Sequence, residues 1–177
     1  MTEFSIRKGA ATVNGYPVDV RGPMLQIGQD APDFQLIAPN FSRKTLADYN
    51  GKIKILSVVP SIDTPTCDLQ ARNFNAIAPE LGDDVVILNI SADLPFAQAR
   101  WQRENEAEHI ELLSTHLDMQ FADAYGTHIL ASRTNQRAVF VIDADNKITY
   151  AEYVTEVGDS INFEAAIEAA RQALSNK

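Results

Sequence analysis

Cys67 is the only cysteine among 177 residues. One thiol excludes an internal disulfide, a CxxC redox pair and a cysteine-rich zinc site together, and leaves a single nucleophile to explain. It stands three residues after Thr64, in Thr64-Pro65-Thr66-Cys67. Thr64 suits an N-cap, and Pro65 suits the first helical position, where no N–H is needed. Cys67 then falls in the first turn, where unpaired N–H groups and the positive end of the helix dipole favour a thiolate. Cysteine is also a common buried apolar filler, and position alone leaves both readings open. Asp63 and Asp68 flank the turn and would disfavour a thiolate if they stood close, so a reactive thiol here needs a cation.

Arg137 is the first candidate for that cation. It opens the apolar segment 138–142, which should run antiparallel to the apolar segment 53–59. The start of one strand would then lie beside the end of the other, next to Cys67. The competing reading is a solvated arginine at a strand end. Arg100, between Ala99 and Trp101 on a mostly exposed helix face, is a weaker candidate, and Lys52 and Lys54 fall at the wrong strand end.

A cysteine hydrolase would need an imidazole base beside the thiol. His109 and His116 flank the segment 111–114, and His128 follows Gly126 in a loop. None has a spacing that marks it, so each reads as an ordinary surface histidine. Zinc needs three or four ligands, and Cys67 has no second His or Cys within a turn or hairpin. No metal and no cofactor are expected.

The elements that must position this thiol follow from periodicity. Asn14-Gly15 is a preferred two-residue turn between β-formers, so residues 11–20 form a hairpin, with Pro17 on an edge strand. Residues 21–33 read as a connector, 34–36 as a short strand and 45–49 as a helical turn. Residues 52–59 read as a central strand buried on both faces, ended by Pro60. From Thr64 the period changes to Cys67, Ala71, Phe74, Ala78 and Leu81, a helix stopped by Gly82. Residues 85–91 form a second buried strand, which completes a βαβ unit with parallel strands. A helix over 94–106, a short strand at 111–114 and a short helix at 121–125 come next. Strands 138–142 and 147–153 form an antiparallel hairpin. A last helix, capped by Asn162 or Ser160, carries apolar Phe163, Ile167, Ala170 and Leu174. This order is α/β with a thioredoxin-like fold: a central mixed β-sheet flanked by helices, with an N-terminal β-hairpin extension. Residues 1–177 read as one domain.

Composition narrows the function classes. Apolar residues are 45% and charged residues 22%, which excludes disorder. No apolar run is long enough to span a membrane, and the segment from Met1 to Lys8 does not read as a secretory signal. The net charge of −9 argues against a nucleic-acid partner.

Pro60-Ser61-Ile62-Asp63-Thr64-Pro65-Thr66-Cys67 fits the peroxiredoxin pattern of Pro, three residues, Thr, two residues, Cys. With Ser91-Ala92-Asp93-Leu94-Pro95-Phe96-Ala97-Gln98, the Asn14-Gly15 hairpin, Ala31-Pro32-Asp33-Phe34 and Arg137-Ala138-Val139, the chain resembles the bacterial thiol peroxidase subfamily from about residue 11 to residue 173. The resemblance implies that Cys67 is the peroxidatic cysteine. It implies that Thr64 hydrogen-bonds thiolate and peroxide, that Arg137 holds the thiolate and polarises the peroxide, and that Pro60 shields the site from water. As N-cap, the Thr64 oxygen would also accept from the Cys67 N–H.

One departure bears on recycling. Relatives of this kind carry a resolving cysteine just after an Arg-aromatic pair, and here Arg100-Trp101 is followed by Gln102. The expected activity is therefore a one-cysteine thiol peroxidase. It would reduce hydrogen peroxide and organic hydroperoxides and be recycled by an external thiol such as thioredoxin, in the cytoplasm. A homodimer is expected through the loops around the site, with Ile62 exposed in the 60–66 stretch. The alternatives are a redox sensor whose Cys67 oxidation alters a binding surface, and an inactive module of the same fold. Turnover with excess thiol separates them.

Overall fold

The computed structural model describes residues 3–177, so Met1 and Thr2 of the segment read above for a signal lie outside the described residues. The chain begins with a hairpin of β1 (Ile6–Val13) and β2 (Tyr16–Arg21). Asn14 and Gly15 at its tip both have positive φ, 51° and 79°, which matches the right-handed twist of the strands. The hairpin is longer at both ends than the periodicity suggested.

Pro17 does not lie on an edge strand. β2 sits between β1 and a short strand β8 (His128–Ile129), itself paired with β9 (Thr134–Asn135). The proline is tolerated because β8 reaches only Val20 and Arg21, so no partner waits for a donor at Pro17. The pair beside a two-residue turn exchanges hydrogen bonds, so the next pair, Thr12 with Pro17, does not.

Among the described residues the main sheet has seven strands. They are β3 (Gln35–Ile37), β4 (Arg43–Thr45), β5 (Ile53–Val58), β6 (Val85–Ser91), β7 (Glu111–Ser114), β10 (Ala138–Ile142) and β11 (Ile148–Tyr153), in the order β11-β10-β5-β6-β7-β3-β4. β5, β6 and β7 are parallel, and β10 runs antiparallel to β5, with Ala138 opposite Val58. β4, β8 and β9 escaped the sequence reading. They are two or three residues long, too short to show a period.

Helices α1 (Pro65–Leu81) and α2 (Pro95–Glu104) make the crossovers β5-α1-β6 and β6-α2-β7 between parallel strands. With the last helix α4 (Phe163–Ser175) they share one core, in which Phe74, Trp101 and Ala170 of the helices meet the odd-numbered side chains Ile53, Ile55, Ile87, Val139 and Val141 of β5, β6 and β10. Asn162, rather than Ser160, caps α4, its side chain accepting from Ala165 N. The even-numbered side chains, Leu56, Val58, Leu88, Ile90 and Phe140, face a second core with Phe34, the short helix α3 (Gln120–Ala124) and Tyr125. Each such Leu, Ile or Phe contributes about 1.5–3 kcal/mol on leaving water. Burial on both faces is why β5 reads as an unbroken apolar run.

The hairpin is docked at two glycines. Gly22 and Gly126 have φ of 108° and 68°, and a Cβ on either would strike the backbone of Asp123 or Pro23. Arg7 seals this crossing, donating from Nε to Gly22 O (2.8 Å) and from Nη2 to Gly126 O (2.5 Å).

Candidate active site

The loop after β5 carries the site. Val59 N still bonds Ile90 O at 2.9 Å, and Pro60, which lacks an N–H, ends the ladder. Ile62 turns inward and is fully buried against Ala71, Phe74 and Trp101. The expectation of an exposed Ile62 is therefore wrong. Ile62 joins the apolar core to which α1 contributes Ala71 and Phe74 and α2 contributes Trp101.

Thr64 takes the N-cap position of α1, with extended φ and ψ of −101° and 149°, and Pro65 follows at the first helical position. The expected capping bond is absent. The Thr64 hydroxyl instead donates to Ser61 O at 2.9 Å, and Thr64 N bonds the same carbonyl at 3.2 Å. The first intrahelical bond runs from Asp68 N to Thr64 O (2.9 Å). Thr66 and Cys67 thus lie in the turn whose N–H groups have no acceptor within the helix. No hydrogen bond joins the exposed Thr64 side chain to the sulfur.

Cys67 is fully buried, and Arg137 Nη2 donates to its Sγ at 3.2 Å. Arg137 is only 1% exposed, so it is not a solvated arginine. Its Nη1 donates to Gln70 Oε1 (3.0 Å) and its Nε to Val157 O (3.1 Å). Gln70 is in turn oriented by donating from Nε2 to Ser57 Oγ (2.8 Å). These partners are neutral, so the sulfur is the one ligand of this guanidinium on which a counter-charge can form. Val157 belongs to the segment after β11, and that segment is tied to the hairpin. Thr12 N bonds Thr155 O at 2.7 Å, and Val157 N bonds Thr12 O at 2.9 Å.

The two acids that flank the turn are both engaged elsewhere. Asp63 pairs with Arg100, which also lies 3.9 Å from Glu104. Asp68 accepts from Arg72 Nε and Trp101 Nε1, each at 2.8 Å. Arg100 is thus the partner of Asp63 and bonds neither Cys67 nor its ligands. Lys54 is buried at the far end of β5, where its ammonium donates to Asn146 Oδ1 at 2.6 Å. Burial lowers its pKa.

The histidines divide. His109 is exposed and His116 half-buried, but His128 is only 6% exposed, which corrects its reading as a surface residue. Its Nδ1 lies 2.7 Å from Asp123 Oδ1 and 3.2 Å from Arg21 Nη2, in a cluster that joins β2 to α3. The short strands β8 and β9 bury it there. None of the three bonds the thiol.

Sequence reasoning missed Gln70, Ser57 and the Val157 carbonyl. A signal existed for the first two. Gln70 is polar on the inward face of a periodic helix, and Ser57 interrupts an apolar strand. The Val157 carbonyl is backbone and leaves no trace in side-chain pattern.

Residues 26–167 match the family described as Redoxin. The chain is 48% identical over 160 residues to a thiol peroxidase of Bacillus subtilis (strain 168), covering 90% of this chain and 95% of that one. It is 46% identical over 161 residues to a thiol peroxidase of Streptococcus parasanguinis, covering 91% and 98%. Among solved structures it is similar to a peroxiredoxin-like protein from Aquifex aeolicus, with a TM-score of 0.86 and 26% identity over 97% of this chain and 99% of that one.

Proposed function

The chain belongs to the redoxin family, among its thiol peroxidases, and we infer from that premise and from the buried Cys67–Arg137 contact that it reduces hydroperoxides with thiols at Cys67. The 3.2 Å contact carries the reading. A buried guanidinium with neutral partners otherwise is stabilised by negative charge on sulfur, and that is the form that attacks.

The Cys67 thiolate attacks the terminal oxygen of ROOH, forming the S–O bond as the O–O bond breaks. The attacked oxygen keeps its hydrogen, so Cys67 becomes a sulfenic acid, and the alkoxide takes from solvent a proton equivalent to the one the thiol gave up and departs as ROH. Charge that starts on sulfur ends on the departing oxygen. Arg137 and the unpaired first-turn N–H groups of α1 are placed to follow it. The Thr64 hydroxyl donates to Ser61 O in the resting protein, which leaves its lone pairs to accept a hydrogen bond from the O–H of the attacked oxygen. Pro60 contributes by presenting no donor to water at the base of the loop.

Recycling needs thiols from outside the chain, because there is no second cysteine. One thiol displaces water from the sulfenic acid to give a mixed disulfide. A second releases Cys67 and leaves as the external disulfide. A dithiol protein such as thioredoxin supplies both in one molecule. The need for reduced thiols favours the cytoplasm, and the net charge of −9 disfavours a nucleic-acid partner. We read the chain as one domain and as a homodimer paired through the site loops. With Ile62 buried, exposed Leu94 and Phe96 at the start of α2 are the apolar residues that would carry the contact.

The test is peroxide consumption with thioredoxin, glutathione or a small dithiol as sole reductant, beside Cys67→Ser. Turnover that Cys67→Ser abolishes supports the reading, and a sulfenate-specific reagent should label Cys67 after one equivalent of peroxide. An unmodified Cys67 in folded protein would remove it.

A further inference from the structure

We propose that Asp93 is a positioning residue that clamps the peroxide-reactive loop in its working shape, an inference that rests on the thiol-peroxidase reading above. Asp93 lies outside the Cys67–Arg137 contact, in the turn between β6 and α2. Its carboxylate gathers three donors. Ser61 Oγ donates to Oδ1 at 2.7 Å, while Ile62 N and Ser91 Oγ donate to Oδ2 at 2.7 Å and 2.6 Å. Its own carbonyl accepts from Ser114 Oγ at 2.5 Å.

These bonds join the C-terminal ends of three parallel strands. Two of the donors belong to the loop after β5, one to the end of β6, and Ser114 to the end of β7. Behind Ser91, Gln98 of α2 donates from Nε2 to Ser91 Oγ and to Leu113 O, both at 3.0 Å, so the clamp is backed by a buried side chain. Bonds to a carboxylate are about twice as strong as neutral ones. The loop is thus held polar-side by Asp93 and apolar-side by buried Ile62.

What hangs on the clamp is the reactive end of α1. Ser61 accepts at its carbonyl from both the hydroxyl and the N–H of Thr64. The position of Ser61 therefore sets that of Thr64, and Thr64 sets where the first turn with Cys67 begins. Without the carboxylate the Ser61–Thr64 turn loses its anchor. The thiol stays present, but the groups around the attacked oxygen no longer converge.

Two rates move in opposite directions under this proposal. Peroxide attack needs the ordered loop, whereas alkylation by iodoacetamide needs only access to a sulfur that the ordered loop buries completely. In Asp93→Ala the second-order rate with peroxide should fall about 10²-fold, as expected when reacting groups are misplaced by about 1 Å, while alkylation of reduced Cys67 should quicken. Asp93→Asn retains one acceptor oxygen and should recover part of both changes. Melting of each variant shows that the rates belong to folded protein. Wild-type values of both rates in Asp93→Ala, or slower alkylation, would overturn the clamp. Should Asp93→Ala not fold, Asp93→Asn carries the same test, and wild-type values in it overturn the proposal. If wild type itself consumes no peroxide through Cys67, the failure is that of the thiol-peroxidase reading, and the alkylation arm still decides the clamp.

Discussion

Arg137 Nη2 donates to Cys67 Sγ at 3.2 Å, although the two residues are seventy positions apart and both are buried. The contact exists because β10 runs antiparallel to β5. The residue that precedes β10 therefore meets the residues that follow β5. In the function proposed above, a guanidinium in that place would be preorganised for charge that moves from sulfur to oxygen.

Arg137→Met should slow peroxide attack about 10²–10³-fold, the usual cost of losing one preorganised donor. Arg100→Met should change it far less, because Arg100 serves an exposed pair with Asp63, and such pairs are worth about 0–1 kcal/mol. Stopped-flow rates of the two variants with hydrogen peroxide check this. Equal slowing would move the cation's role away from Arg137.

Gln102 should set resistance to over-oxidation. It stands in α2, beside Trp101, whose indole reaches Asp68, the residue after Cys67. Its amide donates to Ala107 O (3.0 Å) and Ile110 O (3.4 Å), bonds a thiol would not replace. Without an internal resolving thiol the sulfenic acid waits for an outside molecule, and excess peroxide carries it to sulfinic acid. Gln102→Cys should lower the sulfinic fraction if the two sulfurs can approach to disulfide geometry. The mass of Cys67 at rising peroxide reads the outcome, and identical masses in both proteins would mean that residue 102 is irrelevant to recycling.

If the proposed homodimer pairs through the start of α2, Phe96→Glu should dissociate it. Phe96 is 69% exposed and its ring packs edge-on to Phe41 at 5.0 Å, with Leu94 also exposed beside the site loop. Sedimentation at micromolar concentration should give twice 19.5 kDa for the wild type and 19.5 kDa for the variant. A wild type that sediments as 19.5 kDa alone would exclude the dimer.

Acid should loosen the hairpin before the sheet. Glu156 accepts from Thr12 Oγ1, Gly15 N and Asn14 N at 2.7, 2.9 and 3.0 Å, and these bonds, that of Thr12 foremost, hold its carboxyl below the ordinary 4.5. A depressed carboxyl stabilises the fold above its unfolded value and loses that contribution as pH falls through the folded one. The amide resonances of Asn14 and Gly15 should therefore titrate below about pH 4.5, and Glu156→Gln should abolish that titration. Titration at the ordinary value would show that the carboxylate does not hold the turn.

Local pattern was enough to lay out β5, β6 and β10 as apolar runs, because each is buried on both faces, and α1 as a helix, because its buried stripe imposes a 3.6-residue period. The same pattern placed Cys67 in a first turn, whereas Arg137 at a strand start beside it followed from the strand direction that the thioredoxin-like fold requires. Strands of two or three residues such as β4 and β8 carry no period, and β8 took His128 into a buried ion cluster that no local signal announced. Ile62 looked like an exposed loop residue until the fold brought it into the core it shares with α1 and α2. The Thr64 hydroxyl found Ser61 O in place of the helix N–H it was expected to accept from. Asp93 on the loop, Gln70 and Val157 O on Arg137, and Glu156 on the hairpin turn are all closures between distant segments. Such a bond depends on how two segments meet in space, and the pattern along either one does not contain it.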